Sequence, residues 1–192
     1  MDQHVAVPKP FVGPTLRVGV LLAVAILAAF GAWIVLERGR TGETSAPPAA
    51  PADGPRIMTA DGLTALAGLQ GSSVYWAGPR PDVVYEVTKT TKGYVFVRYL
   101  PGGTSPGDPR PDFLTVATYP RPTAYADVRA ASKRPGAVAI ALPHGGLAVY
   151  DVERPTSVYV AYRRATQQVE VYDPSAREAL RLVKTGFVQP VP

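Results

Sequence analysis

Nineteen consecutive residues between Arg17 and Glu37, from Val18 to Leu36, carry no charge and no strong hydrogen-bonding side chain. As a helix rising about 1.5 Å per residue the stretch is roughly 28 Å long, matching a hydrocarbon core of about 30 Å. Trp33 lies near its distal end, where an amphipathic ring is favoured at the membrane–water boundary. A buried helix of a soluble protein would show a polar face, and this segment has none. A cleaved signal peptide has an apolar core of about 7–15 residues followed by a small-x-small site. Here the run is longer, and Pro47 and Pro48 stand where cleavage would fall. The segment is read as a retained signal-anchor, a single-pass transmembrane helix.

The flanking charges do not set its direction. Lys9 and Arg17 precede it and Arg38 and Arg40 follow it, which is a tie on the positive-inside rule. The next segment decides. Residues 41–55, TGETSAPPAAPADGP, are rich in Ala, Pro, Ser and Thr and form an extended spacer rather than a packed element. At about 3.1 Å per residue it would reach roughly 45 Å. A spacer of that kind lifts a domain off the outer membrane face. The expected organisation is a cytoplasmic head (1–17), the transmembrane helix (18–36), a Pro/Ala-rich linker (37–56) and an extracytoplasmic domain (57–192) at the cell membrane. Ala25 with Ala29, and Ala28 with Ala32, are small residues four apart, as in close helix pairs. Plain alanine abundance accounts for them.

Cysteine is absent. That excludes disulfides, zinc–thiolate sites, a cysteine nucleophile and a lipoprotein anchor. Asparagine is absent as well, so no N-glycosylation acceptor exists. Arginine outnumbers lysine 15 to 5, a bias typical of a GC-rich genome. The net charge of +5 arises after the spacer, because residues 1–55 balance at four of each sign. This mild excess favours anionic surroundings. No basic run with interleaved aromatics points to nucleic acid.

The region after the spacer reads as short strands with a few helices. Thr59-Ala60-Asp61 begins a helix over 60–69 with Leu63, Leu66 and Leu69 at helical spacing, ended by Gly71. Val83, Tyr85 and Val87 alternate, and a second β-rich run covers 94–100. Lys92-Gly93 between them marks a hairpin with the glycine at positive φ. A strand is expected at 113–119, then a short helix capped by Thr123 and running to about Ser132. Hairpins follow at 137–142 with 147–151, and at 158–162 with 169–172. A last helix is capped by Asp173, runs to Lys184 and stops at Gly186, with Leu180 and Val183 toward the sheet. The fold class is α+β, a mainly antiparallel sheet of about seven strands with two or three short helices. Arg-Pro recurs at five positions, three of them inside Pro-Arg-Pro. Proline punctuating strand entry explains this, and the flanks do not align as a duplicated unit.

Catalytic signatures are missing. His144 is the only histidine beyond His4 of the head. Pro143-His144-Gly145-Gly146 has a faint likeness to esterase oxyanion turns, but no Gly-x-Ser-x-Gly elbow accompanies it. No zinc, EF-hand, P-loop or dinucleotide pattern is present, and no cofactor or metal is expected. Tyrosines concentrate around the strands, mostly as sheet residues. Trp76, Arg80, Arg98, Tyr99, Arg110 and His144 are the candidate binding residues. They combine aromatic contact area with guanidinium groups able to grip carboxylate or phosphate.

VYWAGPRPDVVYEVTKTTKGYVFVRYLPGG (74–103), GDPRPDFLTVATYP (107–120), RPTSVYVAY (154–162) and VEVYDPS (169–175) together resemble uncharacterised membrane-anchored proteins of GC-rich actinobacteria. The resemblance covers most of 60–190. It implies the anchored architecture and no activity, and no functional residue is carried over. Two functions fit these readings. The first is a non-catalytic module that binds a protein or an acidic cell-envelope polymer. The second is an exported hydrolase or transferase with carboxylate or His144 chemistry. A signalling domain is a further reading, but the head of 17 residues is too short to fold, so it would need a partner helix.

Overall fold

The computed structural model describes residues 51–192 apart from Gln70 and Ser72. The transmembrane helix expected at 18–36 and most of the linker lie outside the described residues. Among the described residues no helix is long and apolar enough to cross a membrane.

The elements run β1 (Pro51–Met58), α1 (Ala60–Gly68), β2 (Tyr75–Trp76), β3 (Val83–Thr90), β4 (Val95–Pro101), β5 (Thr115–Pro120), α2 (Ala124–Ala131), β6 (Ala137–Leu142), β7 (Gly146–Asp151), β8 (Arg154–Tyr162), β9 (Gln167–Tyr172), α3 (Ala176–Lys184) and β10 (Gln189–Pro190). The protein is α+β. Eight strands form one sheet in the order β1-β3-β4-β5-β9-β8-β7-β6, with every neighbouring pair antiparallel. Two four-stranded meanders, β1-β3-β4-β5 and β6-β7-β8-β9, meet at the β5·β9 ladder. β2 and β10 pair separately.

Alternation assigns the two faces of the sheet. Val87, Val97, Val116, Val158, Val160 and Val171 point to one side, where Leu63 of α1 and Ala179, Leu182 and Val183 of α3 bury them. On the other side α2 lays Ala124, Val128 and Ala131 over Val149, Tyr159 and Ala161. That helix covers β7 and β8. Over β3 and β4 the same face is closed by the loop 102–112, which follows β4.

Local chemistry explains most boundaries. Thr59 caps α1, its Oγ1 accepting from Gly62 N at 3.2 Å. Gly93 turns the β3–β4 hairpin at φ 76°, donating its N–H to Thr90 O at 2.9 Å. At the end of α3, Gly186 is left-handed and Phe187 N donates back to Leu182 O at 3.2 Å, a Schellman closure.

Three expectations are corrected. The linker expected at 37–56 overlaps β1, which starts at Pro51, so the sheet has eight strands rather than about seven. β1 is an edge strand, where proline is tolerated, and its register shifts between Pro51 and Asp53 and again between Asp53 and Arg56. Asp173 does not cap α3. Its Oδ1 accepts from Ser175 N at 2.8 Å in the preceding turn, and Ser175 Oγ takes the helix N–H of Glu178. Thr123 precedes α2 without a side-chain cap, because its hydroxyl donates to Asp127 Oδ2 at 2.7 Å instead.

Candidate functional site

The six candidate binding residues fall in three separate places. Trp76 and Tyr99 are only 4% exposed and pack with Tyr85, with ring centroids 5.9 and 5.1 Å apart. The Tyr99 hydroxyl accepts from Ala77 N at 2.7 Å and donates to Gly78 O at 3.1 Å, which fixes the 77–81 loop against the core. Burial pushes this phenol well above its ordinary pKa. Trp76 Nε1 is buried with no hydrogen-bond partner among the described residues. Arg80 lies half-buried over the Tyr99 ring at 5.5 Å and donates to Glu178 at 2.9 Å. Arg181 also grips Glu178, and with Arg80 it holds that carboxyl down to about 2.

Arg98 and Arg110 lie on the opposite face. Arg98 donates to Glu86 at 2.6 Å and to the carbonyls of Asp108 and Arg110 at 2.8 and 3.0 Å. Arg110 pairs with Asp108 at 2.8 Å. Both guanidinium groups sit over Phe113, at 5.0 and 5.2 Å. Here the arginines pin the 102–112 loop and are already engaged within the chain.

His144 is exposed in the β6–β7 turn, at φ 57°, and lines an open cleft of about 1220 Å³. Four chain segments make the cleft, the β6–β7 turn with His144 being one. The β8–β9 turn supplies Arg163 and Arg164, the end of α1 supplies Ala67 and Gly68, and the chain end supplies Val191. Tyr75 and Tyr162 form part of the wall. The β8–β9 turn is held by Ala165 N donating to Tyr162 O at 3.1 Å. Across the sheet, Arg121 N donates to Thr166 O at 2.7 Å. Tyr162 stands opposite Gly146 in the β7·β8 ladder, and a Cβ at Gly146 would lie 2.7 Å from Tyr162 Cε1. The glycine is the space the ring occupies.

Several arginines elsewhere in the domain are neutralised within the chain. Arg80, Arg98, Arg110, Arg121 and Arg181 each have a carboxylate partner. Among the described residues no Asp or Glu side chain lines the cleft, although Pro192, the last residue of the sequence, does. Arg163 rests over the Tyr125 ring at 4.9 Å, and Arg164 is exposed. Burial raises the pKa of the phenols of Tyr75 and Tyr162, so both stay neutral donors. Arg164, with Arg163 at the rim where its guanidinium leans on Tyr125, gives the cleft a positive character suited to an anionic group.

A second unusual group is sealed away from solvent. Glu170 is 1% exposed and has no cation beside it. Tyr119 and Tyr159 donate to its two oxygens at 2.7 and 2.8 Å. Burial outweighs these bonds and raises its pKa. Among the described residues no cluster of His, Cys, Asp and Glu is placed to hold a metal.

Arg163, Arg164, Tyr75 and Tyr162 stand outside the candidate set and read by sequence as turn and strand residues. A signal was present. Residues 154–169 hold three arginines and no acid, and two of the three are consecutive in a turn. No family profile matches the chain, and no curated protein or solved structure matches it.

Proposed function

We propose that this protein is a membrane-anchored, extracytoplasmic binding module whose cleft takes a carboxylate- or phosphate-bearing polymer of the cell envelope. The observation that carries the reading is the cleft itself, lined by Arg163, Arg164, His144, Tyr75 and Tyr162 with no Asp or Glu side chain among the described lining residues. Its location outside the membrane rests on the apolar segment 18–36 and the spacer after it. The non-catalytic reading is supported by the surroundings of His144. A histidine acting as a general base is commonly oriented by a carboxylate, and no Asp or Glu side chain is among the described residues lining this cleft.

The test is binding of the full-length protein, in detergent or nanodiscs, to polyglutamate and to polyphosphate. Each charge-assisted contact is worth about 1.5–3 kcal/mol, so an Arg163→Ala/Arg164→Ala variant should bind at least tenfold more weakly. Affinity should fall with added salt. Arg129→Ala, an exposed change on α2, should leave it alone. Equal binding by the double variant would refute the cleft as the site. For topology, protease treatment of intact cells should remove the folded region, and full protection would overturn the outward orientation.

A further inference from the structure

The two edges of the sheet are built differently. β1, at one edge, contains Pro51, Pro55 and Arg56 and has two register shifts, all of which discourage another strand from adding on. β6, at the other edge, reads Ala137-Val138-Ala139-Ile140-Ala141-Leu142. It has no charge, no proline and no shift in its register with β7. Among the described residues nothing pairs with its outer side, so alternate N–H and C=O groups there have no strand partner. Its side chains are sorted. Val138, Ile140 and Leu142 lie on the α1/α3 face, opposite Tyr150, Ala148 and Gly146 of β7, while Ala137, Ala139 and Ala141 lie on the α2 face. Ala139 and Ala141 are exposed, because α2 covers β7 and β8 and stops short of β6.

The order Ala-Val-Ala-Ile-Ala is nearly the same in both directions about Ala139. Opposed residues of an antiparallel pair point to one face, so a twofold axis must pass through a residue and not between two. With the axis at Ala139, Ala137 faces Ala141 of the other strand and Val138 faces Ile140. Small meets small on one face and β-branched meets β-branched on the other, with no like charges opposed. We propose that β6 is a homodimer interface, pairing antiparallel with β6 of a second copy about Ala139 so that the two sheets become one. One six-residue ladder is a small interface. Tethering both copies to the same bilayer, as read from residues 18–36, raises their effective concentration.

Because the chain has no cysteine, single substitutions report register directly. Directly opposed Cβ atoms lie about 4.5–5.5 Å apart, close to disulfide range. In the full-length protein in membranes, Ala139→Cys should give a disulfide-linked dimer on mild oxidation. Ala137→Cys and Ala141→Cys should each stay monomeric alone, since each faces the other position, yet should cross-link when co-expressed. Ala126→Cys, exposed on α2, is the control. A monomeric Ala139→Cys chain overturns the proposal, whether the edge is then covered by residues 1–50, by a foreign strand or by nothing. Equal cross-linking at all four positions also overturns it, as random collision. Ala139→Lys places two ammonium groups face to face and should abolish the dimer seen by light scattering in detergent. Its melting temperature should still show a folded protein. A dimer that survives Ala139→Lys counts against the pairing.

Discussion

Glu86 and Arg98 face each other directly across the β3·β4 ladder, their charged atoms 2.6 Å apart and the carboxylate 2% exposed. Neither group is free. The other Glu86 oxygen accepts from Gly107 N, and Arg98 reaches the carbonyls of Asp108 and Arg110. The ion pair thus carries the 102–112 loop across one face of the sheet.

Arg98→Ala leaves the Glu86 carboxylate buried without its cation. The expected loss is about 3–5 kcal/mol in urea unfolding. Amide exchange in 102–112 should accelerate before the rest of the domain opens. Replacing both residues with leucine should be far less harmful than the single change, because no charge is then stranded. A single variant as stable as the parent would show that the pair holds nothing.

Glu170 links stability to pH. Its folded-state pKa lies above the ordinary 4.5, so the native protein keeps a proton that the unfolded chain has already released. Stability from this group is present in acid and declines as pH rises from the unfolded carboxylate range through the native titration. Glu170→Gln removes the titration while keeping an acceptor for one tyrosine. The stability of the variant relative to the parent should rise as the pH is raised above the ordinary carboxylate range. Parallel pH profiles would contradict the assignment.

Gly146→Ala tests the wall of the cleft. The backbone there is extended, so the change is purely steric: the new methyl meets Tyr162 at 2.7 Å and Leu142 Cβ at 3.0 Å. A loss of about 1–3 kcal/mol is expected in thermal or urea melts. Adding Tyr162→Ala should recover part of it, so the double-mutant cycle should show coupling.

His144 holds a left-handed backbone that glycine adopts without penalty. His144→Gly should stabilise the fold by roughly 0.5–1 kcal/mol, and His144→Val should destabilise it. If His144 also contacts the ligand, the glycine variant binds polyglutamate less well while melting higher. A variant that binds as tightly as the parent would confine the histidine to the turn.

Much of the fold is readable from local chemistry. Alternation through Val83–Val87, the turn glycine at 93 and the cap at Thr59 each act over a few residues, and the structure bears them out. β1 was hidden because Pro-Ala-Asp-Gly-Pro has spacer composition, and only pairing with β3 makes it a strand. The caps of α2 and α3 turn on competition between neighbouring oxygens, which composition does not resolve. Trp76 and Tyr99 were singled out for their contact area, yet strand alternation places them inward. Arg98 was singled out for its charge, although Glu86 sits opposite it in the very hairpin the sequence announces. The cleft is not readable, since it joins a turn at 163–166 to the turn at His144, a helix end near 67 and Val191, four segments brought together only by tertiary packing.

The order of the strands has a consequence for the chain as a whole. Residues 51–120 and 137–172 each form a run of neighbours, with α2 as the bridge, and the halves are stitched by the β5·β9 ladder and the β2·β10 pair. A nick anywhere from Ser132 to Gly136 would sever no ladder. Two fragments made separately, each carrying one meander, would hold complementary unpaired edges, so the domain is built to be split and reassembled.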